Sequence, residues 1–314
     1  MDAAYDPADG YVYVTWNYAQ AQVAPWLLIV KDPCTLVKKI PLRMEANVYD
    51  GQIAFDPLTE QMVAIDDYNG VAYVVKGTSL IDTFGGFGGF PGHLPLADVW
   101  DSGLKAMLVA DDGDLGGRVD LLYLNQSGQT LNHAIVVDAF DQGNQPENLI
   151  VADGLIFVAG DKLDVFNATT LKFLGSFGSQ FSTSSGLAWD PMTLMVVVGL
   201  HTLGPLPPVP DNDSLAFLNA SSVYSGTFTY RFLHTSGILQ DGVGDVAYSP
   251  ASHDIYFDGV WGDDLWYLTP AGKLGNVWLE NYADWEQETG VLAIAYDPVD
   301  QDVYVCGLSL FVVS

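Results

Sequence analysis

Ala4-Tyr5-Asp6-Pro7-Ala8-Asp9-Gly10-Tyr11-Val12-Tyr13-Val14-Thr15 reads as two short β-runs joined by a tight turn. Asp6 can bond its own backbone two residues on, and Pro7 presets the next φ, so this Asp is a turn residue before it is anything else. The phrase returns as Ala54-Phe55-Asp56-Pro57, Val99-Trp100-Asp101-Ser102, Ala188-Trp189-Asp190-Pro191, Ala247-Tyr248-Ser249-Pro250 and Ala295-Tyr296-Asp297-Pro298, with a worn copy at Val151-Ala152-Asp153-Gly154. The chain is therefore a repeat array of seven units.

Each turn is followed by a second β-rich run, such as Met62 to Ile65, Leu155 to Ala159 or Met195 to Gly199. A third run follows, as in Val71 to Val75 and Asp264 to Leu268, and a weaker fourth, as in Leu80 to Phe84 and Leu274 to Leu279. Four short strands per unit, at a spacing of about fifty residues, predict an all-β fold: a β-propeller of seven blades, each of four antiparallel strands. The blades are expected at about 3–46, 47–90, 91–140, 141–180, 181–236, 237–285 and 286–314 of a single domain. The seventh unit reaches only a third strand at Leu308 to Val313. The last blade is thus incomplete, or its fourth strand lies in sequence outside this chain.

The 314 residues, 49% of them hydrophobic, suffice for one sizeable core. Against 39 acidic residues stand 11 basic ones, and the formal charge of −28 excludes nucleic acid and anionic membrane surfaces as main partners. Charged residues make up only 16%, below the usual share of roughly a quarter. An acidic but not densely charged chain suits an extracellular surface, in a habitat acidic enough to protonate many carboxylates. No apolar run is long enough to span a bilayer. Met1-Asp2 leads straight into the first strand, which predicts a segment of a longer secreted or anchored protein.

Asn125, Asn167, Asn212 and Asn219 stand in Asn-X-Ser/Thr sequons. Asn125, Asn167 and Asn219 each follow a third strand, so glycosylation competes there with plain turn formation. Cys34 and Cys306 lie in the first and last units, which ring closure would make neighbours. A disulfide between them would latch the ring by closing a long loop, and two unpaired buried thiols are the alternative.

In propellers the loops between second and third strands share one face with the connections between blades, and ligands are expected there. On that face Trp16, Tyr18, Trp261 and Trp285 are candidates to stack on a sugar or peptide, with packing between blades as the other reading. Asp111, Asp112 and Asp114 form the best local oxygen cluster, a candidate for Ca2+, although their spacing is not that of an EF-hand and solvated loop carboxylates account for them more simply. Residues entering the first strands, among them Asp50, Asp98, Glu147 and Asp245, could converge on an axial divalent ion. No Gly-X-Ser-X-Gly elbow is present, and the five histidines show no metal-ligand spacing, so hydrolase-type nucleophilic catalysis finds no support.

Asp6-Pro7-Ala8-Asp9-Gly10-Tyr11-Val12-Tyr13-Val14-Thr15 and Asp297-Pro298-Val299-Asp300-Gln301-Asp302-Val303-Tyr304-Val305 resemble the YVTN repeats of archaeal and bacterial surface propellers. The resemblance covers nearly the whole chain and departs from the pattern at Trp16, where the repeat has Asn. It implies an extracellular or cell-surface propeller, surface-layer or adhesin-like, without catalytic residues, that engages a protein or glycan. The competing expectation is a propeller enzyme of the lactonase or lyase type, holding an axial metal through Asp50, Glu147 or Asp245.

Overall fold

The computed structural model describes residues 2–16, 26–31, 35–42, 52–66, 70–85, 94–112, 118–124, 130–137, 148–160, 162–177, 184–200, 214–235, 239, 242–259, 264–278, 293–297, 301–306 and 310–313. Among them the strands follow one another as antiparallel meanders. The first sheet is β1 (Asp2–Asp6), β2 (Tyr11–Trp16), β3 (Trp26–Lys31) and β4 (Thr35–Pro41). The second is β5 (Ile53–Asp56), β6 (Gln61–Asp66), β7 (Val71–Lys76) and β8 (Ser79–Gly85), and the third β9 (Leu94–Asp101), β10 (Ala106–Asp112), β11 (Arg118–Leu124) and β12 (Thr130–Val137).

The fourth sheet is β13 (Asn148–Ala152), β14 (Leu155–Ala159), β15 (Leu163–Asn167) and β16 (Phe173–Phe177). The fifth is β17 (Ser184–Asp190), β18 (Met195–Leu200), β19 (Ser214–Asn219) and β20 (Tyr230–His234), with one helical turn, α1 (Ala220–Val223), before its last strand. The sixth is β21 (Val243–Tyr248), β22 (Ile255–Gly259), β23 (Asp264–Leu268) and β24 (Leu274–Trp278). A three-stranded sheet of β25 (Ala293–Tyr296), β26 (Val303–Cys306) and β27 (Leu310–Val313) comes last among the described residues.

The chain divides into two compact units, Met1–Val151 with Ala168–Leu171, and Ala152–Asn167 with Lys172–Ser314. In the first unit a core runs between the first and second sheets, where Tyr13, Leu27, Ile29 and Ile40 meet Ile53, Met62, Tyr73 and Val75. A second cluster joins Val63, Ile65 and Ala72 to Met107 and Val109 of the third sheet. In the second unit Val197, Leu215 and Phe217 pack on Val243, Val246, Ile255 and Phe257, and Leu265 packs on Ile294, Val303 and Val305. Second strands are buried along nearly their whole length, β6 and β14 without exception. This explains their continuous apolar runs in place of an alternating pattern. The fourth strands β4 and β8 are largely exposed edges, and their weaker sequence signal follows from that.

The repeated turn works as its chemistry predicts. The Oδ1 atoms of Asp6, Asp56, Asp101 and Asp190 accept from the amides of Ala8, Leu58, Gly103 and Met192, two residues on, at 2.7–2.9 Å. Burial dominates at Asp6 and raises its carboxyl to about 6, only partly opposed by the Ala8 amide. The end of the turn has positive φ in unit after unit: Gly10 at 72°, Glu60 at 56°, Lys105 at 54° and Leu194 at 57° directly before the second strand, and His253 at 61° and Gln301 at 65° two residues before it. Only the first of these is a glycine. A left-handed conformation costs an L-residue roughly 1–2 kcal/mol, against about 0.5–1 kcal/mol of extra chain entropy for glycine. Leu194→Gly, at a half-exposed position, is therefore expected to raise stability by about 0.5–1 kcal/mol in chemical denaturation; a loss would mean that the leucine side chain contributes packing.

Candidate functional site: carboxylates on the first strands

Within the first unit β5 packs against both β1 and β9, and within the second β21 packs against both β17 and β25. Carboxylates sit at these junctions. Asp2 on β1 accepts from its neighbour Ala3 through Oδ1 at 2.8 Å and from the Ile53 amide of β5 through Oδ2 at 2.9 Å. Asp245 on β21 repeats the arrangement, with Oδ1 accepting from Val246 at 2.8 Å and Oδ2 from the Ile294 amide of β25 at 2.8 Å. Each carboxylate thus ties a first strand to the first strand of the next sheet. The contact is a charge-assisted hydrogen bond, the stronger kind.

Two further acids are enclosed without such compensation. Asp98 on β9 is buried, and neither of its oxygens makes a well-formed hydrogen bond. Burial holds its carboxyl well above the ordinary range, the charge of Asp2 pushes it further, and the facing Ala54 amide offsets little. Asp258 on β22 accepts from the Asp245 amide through Oδ1 at 2.5 Å, while its buried Oδ2 has no partner. Burial first, then the Asp245 carboxylate, raise it well above the usual carboxylate range. Burial likewise raises Asp245 to about 6, against the opposing amides of Ile294 and Val246.

Close backbone approach places these groups. A bulge interrupts the β21–β22 register between Val243 and Val246, so that Gly244 and Asp245 together face Asp258. A Cβ on Gly244 would stand 2.6 Å from Asp258 Oδ1. The β17–β18 register slips at the matching point, between Ser184 and Leu187, where Gly186 lies against β21. Chemically the arrangement can do two things: fasten adjacent sheets through carboxylate–amide bonds, and hold protons on enclosed acids.

Of the axial metal candidates, Asp245 is therefore engaged in joining β21 to β25, while Asp50 and Glu147 lie outside the described residues. Tyr18, Trp261, Trp285, Asp114, Asn125 and Cys34 also lie outside them. Trp16 closes β2, opposite Trp26 across the β2–β3 ladder. Asp111 and Asp112 close β10 and do not stand in a loop, Asp111 paired in register with Arg118. Cys306 ends β26. Asn167 ends β15, and Asn219 caps α1 by accepting from the Ser221 amide at 3.0 Å, so both are positions that turn and cap chemistry explains. Among the described residues no group of three or more His, Cys, Asp or Glu is arranged to hold a metal ion.

Sequence reasoning missed Asp2 and Asp258, though a signal existed. Asp2 and Asp245 each stand four positions before the turn residue, Asp6 or Ser249. Aligning units on the turn would have paired them.

No family model matches the chain, and no curated protein matches it. A solved structure described as a streptogramin B lyase is similar over 98% of this chain and 90% of its own, with a TM-score of 0.70 and 10% sequence identity. That likeness shows the fold: an all-β propeller built of four-stranded antiparallel blades.

Proposed function

We propose that the chain is a seven-bladed propeller acting at the cell surface as a non-enzymatic binding or structural module. The observation that carries this reading is the use made of Asp245. It is, with Asp98, one of the two described acids of the axial metal set, and it devotes both carboxylate oxygens to backbone amides, one of them on the next sheet. At the junction of β21 and β25 an acid that an axial metal would need is thus spent on joining strands. The strong acidic excess maintains solubility and disfavours polyanionic partners. Trp16, Tyr18, Trp261 and Trp285, on the loop face, are the residues that would meet a glycan or protein, and Asn167 and Asn219 remain sequons open to glycan attachment.

A second reading is favoured by the likeness to a lyase: a metal-dependent propeller enzyme using Asp50 and Glu147. Fold alone does not carry that activity over, because one fold hosts many functions. Elemental analysis of the gel-filtered protein, before and after a chelator wash, separates the two. Less than stoichiometric metal after the wash is the expected result. One tightly held equivalent of a divalent ion would overturn the module reading and direct effort to hydrolase and lyase substrates.

A further inference from the structure

One link in the repeat is longer than the rest. Third and fourth strands are joined by the residues between Lys31 and Thr35 in the first sheet, Lys76 and Ser79 in the second and Leu268 and Leu274 in the sixth. In the fifth sheet the link runs from Asn219 to Tyr230, the longest among the four-stranded sheets, and it carries α1. Its own hydroxyls brace it. Ser222 Oγ donates to the Asn219 carbonyl at 2.6 Å and accepts from the Thr229 amide at 3.0 Å, and Ser225 Oγ donates to the Ser222 carbonyl at 2.7 Å. A four-stranded blade needs no such element, and a braced loop holds its side chains ready for a partner.

Those side chains are aromatic and turned toward the fourth sheet. Tyr224 Oη donates to the Asp153 carbonyl of the β13–β14 turn at 2.9 Å, and the Phe228 ring lies so close over β16 that a Cβ on Gly175 would stand 2.9 Å from it. On β20, Leu233 packs with Leu215 and Phe217 toward the sixth sheet, and Arg231 lies over the Phe217 ring at 4.1 Å. Alternation turns Tyr230 and Phe232 to the opposite face, with their rings edge to face at 5.2 Å. Tyr224 is 55% and Tyr230 46% exposed, so this row of rings opens to solvent along the outer seam of the two sheets.

Charge singles out the same place. No Asp or Glu stands between Asp164 and Asp190 or between Asp213 and Asp241, the two longest acid-free stretches in a chain with 39 acids. β16 lies in the first stretch, and the α1 link and β20 lie in the second. An anionic partner is repelled by the formal charge of −28, and a cationic one is drawn to the acid-rich remainder of the chain. Exposed rings beside the exposed Ser225, Thr227 and Thr229 suit an uncharged ligand that offers C–H faces for stacking and hydroxyls for hydrogen bonding.

We propose that this seam is a binding site for a neutral saccharide chain, with Tyr224 and Tyr230 as its stacking platforms and the hydroxyls of the α1 link as its polar contacts. It is a site apart from the aromatic candidates of the loop face, and it rests on the reading of the chain as a binding module. Phe228 and Phe232 support the platforms, and Gly175 leaves the room that Phe228 fills.

The whole chain is probed on an array of neutral oligosaccharides and by electrophoresis in gels containing laminarin, galactomannan or xyloglucan, with polygalacturonate as the charged control. Retardation by a neutral polysaccharide and none by polygalacturonate is expected, and Tyr230→Ala should weaken binding about tenfold, the share of one stacking ring. Tyr224→Phe keeps the ring and removes only the bond to Asp153, so it should bind like the wild type while Tyr224→Ala binds less; a merely structural tyrosine would suffer from both changes. Phe173→Ala is the control and should change nothing, since Phe173 pairs with Phe166 where Gly175 pairs with Val165, on the other face of β16. Binding that survives Tyr224→Ala and Tyr230→Ala would put the saccharide elsewhere and overturn this site while leaving the module reading intact. Retardation by polygalacturonate alone, or no binding across the array, refutes the neutral ligand. A dimer in sedimentation that Tyr230→Ala dissolves would make a second copy the occupant and likewise overturn the proposal. Failure of the module reading shows separately, as tightly held metal.

Discussion

Gly186→Ala is expected to cost roughly 3 kcal/mol or more of stability, because the new methyl would meet only backbone. Its Cβ would stand 2.6 Å from the Gly244 carbonyl oxygen, 2.7 Å from the Val246 amide nitrogen and 2.8 Å from the Asp245 carbonyl carbon. No side chain can swing aside, so β17 and β21 must separate. They share a core in which Ala188 of β17 and Val243 and Val246 of β21 take part, and separation would also disturb the Asp245 bond to Ile294. Gly226→Ala is the control, since nothing lies within 4 Å of its added methyl and only its φ of 70° opposes the change. That substitution should cost about 1 kcal/mol in the same denaturant titration. Equal losses at the two positions would show that the first strands have room to yield.

Asp98→Asn is expected to act in the opposite direction, raising stability at neutral pH by about 1–3 kcal/mol, because the amide removes a charge whose enclosure without partners costs more than that of a neutral polar group. The aspartate is 6% exposed, has two oxygens without hydrogen bonds and lies in the field of Asp2, so the fold pushes its carboxyl upward. A raised carboxyl means that the folded chain binds more protons than the unfolded one above about pH 4, so its destabilising effect grows as pH climbs from there. The advantage of the amide should accordingly shrink toward zero at about pH 3.5. A variant no more stable than the wild type at neutrality, or an advantage independent of pH, would mean that Asp98 is satisfied and ionised in solution.

Asp6, Asp9, Asp98, Asp245 and Asp258 are all shifted upward, each with burial as the leading cause. Each therefore adds to a stability that is greatest in mild acid and declines toward neutrality. The formal charge of −28 points the same way, since protonating carboxylates relieves its self-repulsion.

Strand positions were legible because they depend on short-range pattern. Leu155–Ala159 and Asp264–Leu268 fall where the β-rich runs place them, and Asp6, Asp56, Asp101 and Asp190 make the bonds that turn chemistry requires. Second strands announced themselves because both their faces are covered, and fourth strands such as β4 were faint because they are exposed edges. Asp111 and Asp112 were misplaced in a loop because Asp-rich sequence reads as a turn, whereas the ladder with β11 continues through Asp111. The aromatic candidates Tyr18, Trp261 and Trp285 lie outside the described residues, and the loop face rests on sequence alone.

The sequence by itself determined the repeat, the four-stranded unit and the turn that opens each one, since φ preferences, Asx bonding and apolar runs act over a few residues. Only the tertiary structure decided what the acids on the first strands do. Asp2 bonds an amide 51 residues away and Asp245 one 49 residues away. Whether Asp98 and Asp258 keep a proton depends on enclosure and on carboxylates brought near by packing, and neither is a property of local sequence.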